Sequence, residues 1–223
     1  MDHNKLEKEI LFKEAMANLV FKIKADSFLR KVDDAVQEID FGHSHHGEKF
    51  VTYYAGQAGW SYPELYKIGE EMNEIVSPIG CNFGYYMPEH KFLEWRLAKN
   101  DSDEYFSNLV TTIINTIKTY VLPVMDKYTR ISSFVEGQRF DELPKGLWYD
   151  EKLLLLANLY VGEKKWVYDY IEEKLIRYER QARNAKSDTF MEELVDEKEV
   201  FYLNNRYQKL LHLYDKLKER YGV

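Results

Sequence analysis

The chain has 223 residues, 45% hydrophobic and 31% charged, with one cysteine and a formal net charge of −7. That length can bury a substantial core without disulfides or metal staples, and the composition is that of a globular chain rather than a disordered one. Cys81 alone gives neither an intrachain disulfide nor a cysteine-based zinc cluster, and the longest apolar run, 153–161, is far short of the roughly 20 residues a membrane-spanning helix needs.

The opening MDHNKLEKEI mixes acids and bases around no apolar centre, so neither a signal nor a transit peptide is expected. Together with the single cysteine this predicts a reducing, cytoplasmic setting. Charge is uneven along the chain. Residues 1–110 carry 12 Lys and Arg against 19 Asp and Glu, whereas 111–223 carry 19 of each, so all the excess acid lies in the first half. Such a half is unsuited to binding nucleic acid, which depends on clustered Lys and Arg, and suits a basic protein partner.

In chain order, residues 4–19 space Leu6, Ile10, Leu11, Met16 and Leu19 as an amphipathic helix that covers one face of a sheet. The period then shortens, and 27–32, 35–41 and 48–55 read as three strands of a meander. In the second of them Ala35, Gln37, Ile39 and Phe41 alternate with Val36, Glu38 and Asp40, which gives two unlike faces. Ser61, with Pro63 and Glu64 after it, predicts a capping box and a helix to about Val76 along Leu65, Ile68, Met72 and Ile75 or Val76. Two prolines and two glycines make 77–88 a turn or irregular strand, and 91–99 alternates as a further strand.

Asp101 or Ser102 is expected to cap a helix carrying Phe106, Leu109, Val110, Ile113, Ile114 and Ile117 as far as Pro123. A short helical turn at 131–135 leads into EGQRFDELPKG, where Gly137, Pro144 and Gly146 mark a break. Beyond it, 149–161, 163–183 and 189–221 read as helices, the third interruptible near Asn204 and Asn205, and the first two joined at Gly162 as an antiparallel hairpin. The expected organisation is an α+β domain over 1–137, an antiparallel sheet of four to five strands with helices packed on it. A linker at 138–148 and a three-helix extension over 149–223 follow.

Several ordered motifs carry a resemblance. A Phe-Lys-x-Lys segment precedes Ser27, Phe28 and Arg30, then Asp34, Val36 and Ile39, then a turn with Phe41, Gly42 and Ser44. Leu93 to Arg96 reads Leu-Glu-Trp-Arg, and the long helix ends with Leu122, Pro123, Asp126 and Tyr128. In this order over residues 5–137 the chain resembles the bacterial family known as domain of unknown function 4304. The resemblance implies an α+β domain and a bacterial origin, and it brings no activity or catalytic residues with it. Where other members carry a Gln-Lys-Ser turn, this chain has Phe41-Gly42-His43-Ser44-His45-His46.

Four groups of residues are candidates for function. His43, His45 and His46 place three imidazoles within four residues, enough for two ligands to Zn, Ni or Cu with Glu48 or Asp40 as a third. Glu94 and Arg96 stand at i and i+2 of a strand and share a face, as a pocket pair or as a solvent-facing ion pair. Tyr53, Tyr54, Trp60, Tyr62, Tyr66, Tyr85 and Tyr86 beside Glu70, Glu71 and Glu74 form a Tyr-rich, acidic stretch suited to anchoring a partner. Alternation puts Tyr53 and Tyr54 on opposite faces. Lys174, Arg177, Arg180 and Arg183 recur every three residues opposite Val167, Tyr170, Ile171 and Tyr178, and the interleaved Glu172, Glu173 and Glu179 make this a solvated helix face.

The sequence contains no GxGxxG, GxxxxGK[ST] or GxSxG motif, and Cys81 has no identifiable base beside it. No cofactor is expected. The leading reading is a non-enzymatic, cytoplasmic bacterial binding protein, immunity- or adaptor-like, whose acidic first half recognises another protein through Tyr53, Tyr54, Trp60, Glu94 and Arg96. The alternative is an enzyme or small-ligand protein using the sheet face near Glu94, Arg96 and Tyr53, with a metal at the His43–His46 loop.

Overall fold

Strand pairing follows the two-residue period read above. In the computed structural model, which describes residues 10–25, 27–187 and 197–222, β1 (Lys22–Lys24), β2 (Ser27–Val32), β3 (Ala35–Ser44) and β4 (Val51–Ser61) form an antiparallel meander. β5 (Ile79–Asn82) and β6 (Trp95–Ala98) both pair with β4, at opposite ends of it, so the sheet has six strands rather than four or five. The ladder between β3 and β4 runs from Val36 opposite Ser61 to Ser44 opposite Tyr53. Ala35, Gln37 and Ile39 are buried, as are Trp60 and Ala58 opposite the last two, whereas Val36, Glu38 and Asp40 are exposed or half-buried on the other face.

Helices pack on the first of these faces. α1 (Ile10–Asn18) brings Phe12 against Phe28 and Phe41, each with ring centroids 5.3 Å apart, and Phe41 meets Phe83, which meets Trp95. Gly56 lies under the Phe83 ring, where a Cβ would stand 2.6 Å from its carbons. The start expected for α1 at residue 4 lies outside the described residues. At the other end of the sheet Trp60 stacks on Tyr128 and donates to the Tyr62 hydroxyl, which donates to the Tyr128 carbonyl. Burial of Tyr62 pushes its phenol pKa up. Arg30 satisfies the fully buried Gln37 amide oxygen at 2.8 and 2.6 Å and also bonds Asp126, tying β2 and β3 to the helical layer.

Three local expectations fail, each for a tertiary reason. Ser61 ends β4 opposite Val36 instead of capping; Tyr62 is the N-cap of α2 (Pro63–Glu71) and makes no side-chain cap bond. That helix stops five residues early because the chain reverses at Asn73, with φ +53, and brings Val76 back onto Gly69. This leaves Ile75 83% exposed. Residues 91–94 do not pair as strand, because the Asn82 side chain takes the backbone bonds: it accepts from Leu93 N at 2.7 Å and donates to Leu93 O at 2.8 Å.

Ser102 caps α3 (Asp103–Thr116), as expected, and Asp101 instead accepts from Ala98 N. A π-helical turn at Ile117–Val121 precedes α4 (Leu122–Lys127), which carries Pro123 past the point where its missing N–H breaks the ladder. Gly137 is no break: it is buried within α5 (Ile131–Arg139), where a Cβ would meet the Tyr128 ring at 2.5 Å. Asp150 caps α6 (Glu151–Tyr160), which packs with α2 and α5. The chain therefore divides into units 1–161 and 162–223, later than the 138–148 break expected from glycine and proline, and one of the three C-terminal helices stays with the sheet.

The second unit consists of α7 (Lys164–Ser187) and α8 (Glu197–Tyr221), the latter uninterrupted at Asn204 and Asn205. The two run antiparallel: the Lys164 ammonium bonds the Tyr221 carbonyl at 2.9 Å, and the Tyr168 and Tyr214 rings lie 5.8 Å apart. Val167, Ile171, Leu210, Leu213 and Leu217 are buried between them. Arg177 and Arg180 stay exposed, Lys174 lies over the Tyr170 ring, and the Arg183 side chain is outside the described residues.

Gly59 is where β4 and β5 approach most closely, since a Cβ there would stand 2.0 Å from the Ile79 carbonyl oxygen. Gly59→Ala is expected to destabilise the protein by about 1–3 kcal/mol, the usual cost of forcing atoms into a packed site. Urea unfolding checks this, and an unchanged midpoint would show that the strands are not held this close.

Candidate functional site

The face of the sheet opposite the helices holds the site. No described helix buries its residues: along β3 Val36, Glu38, Asp40, Gly42 and Ser44, and along β4 Tyr53, Ala55, Gln57, Gly59 and Ser61, are all half-buried or exposed. The pairing register divides this face into two regions, separated by the small pair Gly42 and Ala55.

At one end stand most of the residues expected to act. Tyr53 pairs with Arg96, and its hydroxyl donates to Glu48, the main cause of its raised pKa. Glu94 accepts from His46 Nε2 at 3.1 Å, and the His46 ring meets Tyr53 edge-on at 4.6 Å. Glu94, Arg96 and Tyr53 thus share a face, as predicted. The imidazoles do not converge: His45 Nδ1 lies 2.7 Å from the Val51 carbonyl, His46 turns to Glu94 and Ser44, and His43 pairs with Tyr54 across the opposite face. Among the described residues no three His, Cys, Asp or Glu side chains form a metal-holding group. Tyr54 and Trp60 are each 1% exposed and belong to the core, which corrects their place in the expected binding surface.

At the other end the face sinks into a cleft of about 470 Å³. One row explains its shape. Glu38 on β3 stands opposite Gly59 on β4, Gly59 opposite Gly80 on β5, and Gly80 opposite Trp148, with which it exchanges backbone bonds of 3.0 and 2.9 Å. Two glycines therefore floor a trough between Glu38 on one side and Trp148 on the other, whose backbones stand about 14 Å apart at three strand spacings, a width that the two side chains narrow. Asp40 and Gln57 flank the row, and Tyr85 and Phe92 complete the rim.

The rim is held from beneath. Asn82 uses its full amide capacity, donating to Gly56 and Leu93 carbonyls and accepting from Gly84 and Leu93 amides, and so anchors the segment that carries Tyr85 and Phe92. Gly146, at φ +81, lies against the Tyr85 ring, where a Cβ would stand 2.5 Å away. Phe92 and Trp148 remain 54% and 57% exposed, unusual for such large rings beside a concave surface.

The electrostatics of the cleft have one sign. Glu38 and Asp40 line it, and no Lys, Arg or His does. Neither carboxylate has a hydrogen bond or ion pair among the described residues, and burial, then the charge of Glu38, raises the Asp40 pKa. Cys81 borders the cleft too, but burial pushes its thiol up to about 12, so it offers no thiolate near neutral pH. The two carboxylates are i and i+2 on one strand and form one wall; they do not face each other across a scissile bond as an acid and base pair would.

The 35–41 alternation gave β3 two unlike faces, but it did not mark Glu38 as part of a site, and Trp148, which reaches β5 from beyond an irregular segment, was missed as well. No family model, no curated protein and no solved structure matches the chain.

A carboxyl whose folded-state pKa is raised binds its proton more tightly in the native protein than in the unfolded chain. Between 3.8, the ordinary value, and the raised one, stability therefore falls as pH rises. Asp40→Asn is expected to raise the thermal midpoint at pH 7, and the gain should vanish near pH 3, where the wild-type carboxyl is neutral in both states. Melting curves at the two pH values measure it. A lower midpoint at pH 7 would reveal a stabilising partner for Asp40.

Proposed function

We propose that the chain is a non-enzymatic binding protein that recognises another protein through the open sheet face of its first unit. The observation that carries this reading is the cleft, whose exposed aromatic rim and unpaired carboxylates are features of a surface awaiting a partner rather than of a settled core. Aromatic side chains that stay exposed beside a depression lose much water contact on association, which makes them the anchors around which such interfaces form. The excess acid of residues 1–110 is consistent with a basic partner. The bacterial origin implied by the resemblance over 5–137 and the cytoplasmic setting suggested by the single cysteine belong to the same proposal.

The alternative, an enzyme centred on Glu94, Arg96 and Tyr53, needs an enclosed pocket at those residues, and none of them lines the cleft. Their hydrogen bonds, Tyr53 to Glu48 and His46 to Glu94, lie at the surface, where such contacts contribute little.

Capture from bacterial lysate on the immobilised full chain, compared with its Gln57→Arg variant, tests the proposal. Gln57 stands beside Asp40 on the same face, so an arginine there occupies the surface and neutralises its charge. A protein retained by the wild type and lost by the variant is the expected result. Retention of nothing, or of the same proteins by both, would overturn the proposal, with circular dichroism confirming that the variant folds.

A further inference from the structure

We infer that the cleft between Glu38, Asp40 and Trp148 receives an arginine side chain presented by an extended segment of the partner. This rests on the proposed binding role of the same face and specifies the chemistry it selects.

The lining decides the charge of the occupant. With two carboxylates and no cationic side chain along the cleft, a phosphate, nucleotide or carboxylate ligand would meet repulsion and find no counter-charge. A neutral apolar group fares no better, because seating it would strip water from Glu38 and Asp40, which have no described partner to replace it. A cation is the remaining class, and it satisfies both carboxylates at once.

The aromatic rim decides which cation. A guanidinium is flat, weakly hydrated and carries a fork of donors, so it bonds carboxylates at its edge while its face lies on an indole or phenyl ring. Trp148 stands in register with Glu38 across the two floor glycines, and Phe92 and Tyr85 stand at the same rim. An ammonium, compact and strongly hydrated, makes less use of that arrangement. The glycine floor matters as well: Gly59 and Gly80 let β4 and β5 approach closely and place no side chain between acid and indole.

Size decides the source. A guanidinium group has four heavy atoms and needs roughly 120 Å³ at about 30 Å³ each, taking the share of one water as a guide. The cleft is about 470 Å³ and open, which leaves room for the chain on either side of the arginine. A free small cation would leave most of it wet.

Titration calorimetry on the full chain at low salt tests the inference with four probes: a blocked nine-residue peptide with one central arginine, the same peptide with lysine, the same with citrulline, and acetyl-arginine amide alone. The arginine peptide is expected to bind at least tenfold more tightly than the citrulline peptide, several-fold more tightly than the lysine peptide, and at least tenfold more tightly than the free amide. Glu38→Gln with Asp40→Asn, and separately Trp148→Ala, should each weaken the arginine peptide tenfold or more. Both variants should keep the wild-type circular dichroism spectrum, since Trp148 holds Gly80 through its backbone. Equal binding of the arginine and citrulline peptides, wild-type affinity in either variant, or no heat with millimolar peptide would overturn the inference. An amide as tight as the peptide would make this a small-cation site and overturn the assignment to a protein segment. If the peptides fail while a partner is still lost on Gln57→Arg, this inference falls alone; if capture fails too, the binding role falls with it.

Discussion

The register of β3 against β4 is the constraint from which the remaining architecture follows. Because successive residues of a strand point to opposite faces, the pairing of Gln37 with Trp60 and of Ile39 with Ala58 sends those side chains to the helices. It leaves Glu38, Asp40, Gln57 and Gly59 on the other side. A slip of β3 by one residue would exchange its faces, turning Glu38 and Asp40 to the core and Gln37 and Ile39 to the open side. The buried Gln37 guards the register, since its amide finds Arg30 and Asp126 only when it points to the helical side. Position and function are thus coupled: the interaction that sorts the core also composes the cleft.

The cleft is assembled at some expense to stability. Asp40 is held where its charge is unfavourable, and Phe92 and Trp148 keep large apolar surfaces in water. Each is a departure from what stability alone would select, and they coincide on one surface. Departures of this kind gathered on one surface are what the proposed binding role requires. The polar cluster at the other end lacks them, because Tyr53 is already bonded to Glu48 and His46 to Glu94.

Much of the scaffold was legible in the residues, because period is a local signal. The alternation at 35–41, the Ser102 cap and the apolar stripe of α3 needed no tertiary knowledge. What was misread depended on distant partners. Ser61 has the sequence of a cap and the position of a strand end because Val36 claims its backbone, and 91–94 alternates like a strand yet is held by one asparagine side chain. Gly137 resembles a breaker until Tyr128 is placed over it. For the site, the aromatic stretch at 53–66 divided by parity into core and surface. Trp148 gave no local sign of joining Glu38 across two glycines, because that row exists only once β5 has paired.

The central claim, that the glycine-floored cleft is where a partner's arginine docks, is tested most directly by following the indole N–H resonances of the four tryptophans as the arginine peptide is added to the isotope-labelled chain. Trp148 is exposed on the rim, while Trp60 is buried and bonded to Tyr62, so the two report opposite faces of the sheet. The account predicts that the Trp148 signal shifts progressively and saturates while that of Trp60 stays in place. A Trp148 signal unmoved at saturating peptide, or a shift confined to the other indoles, would contradict it.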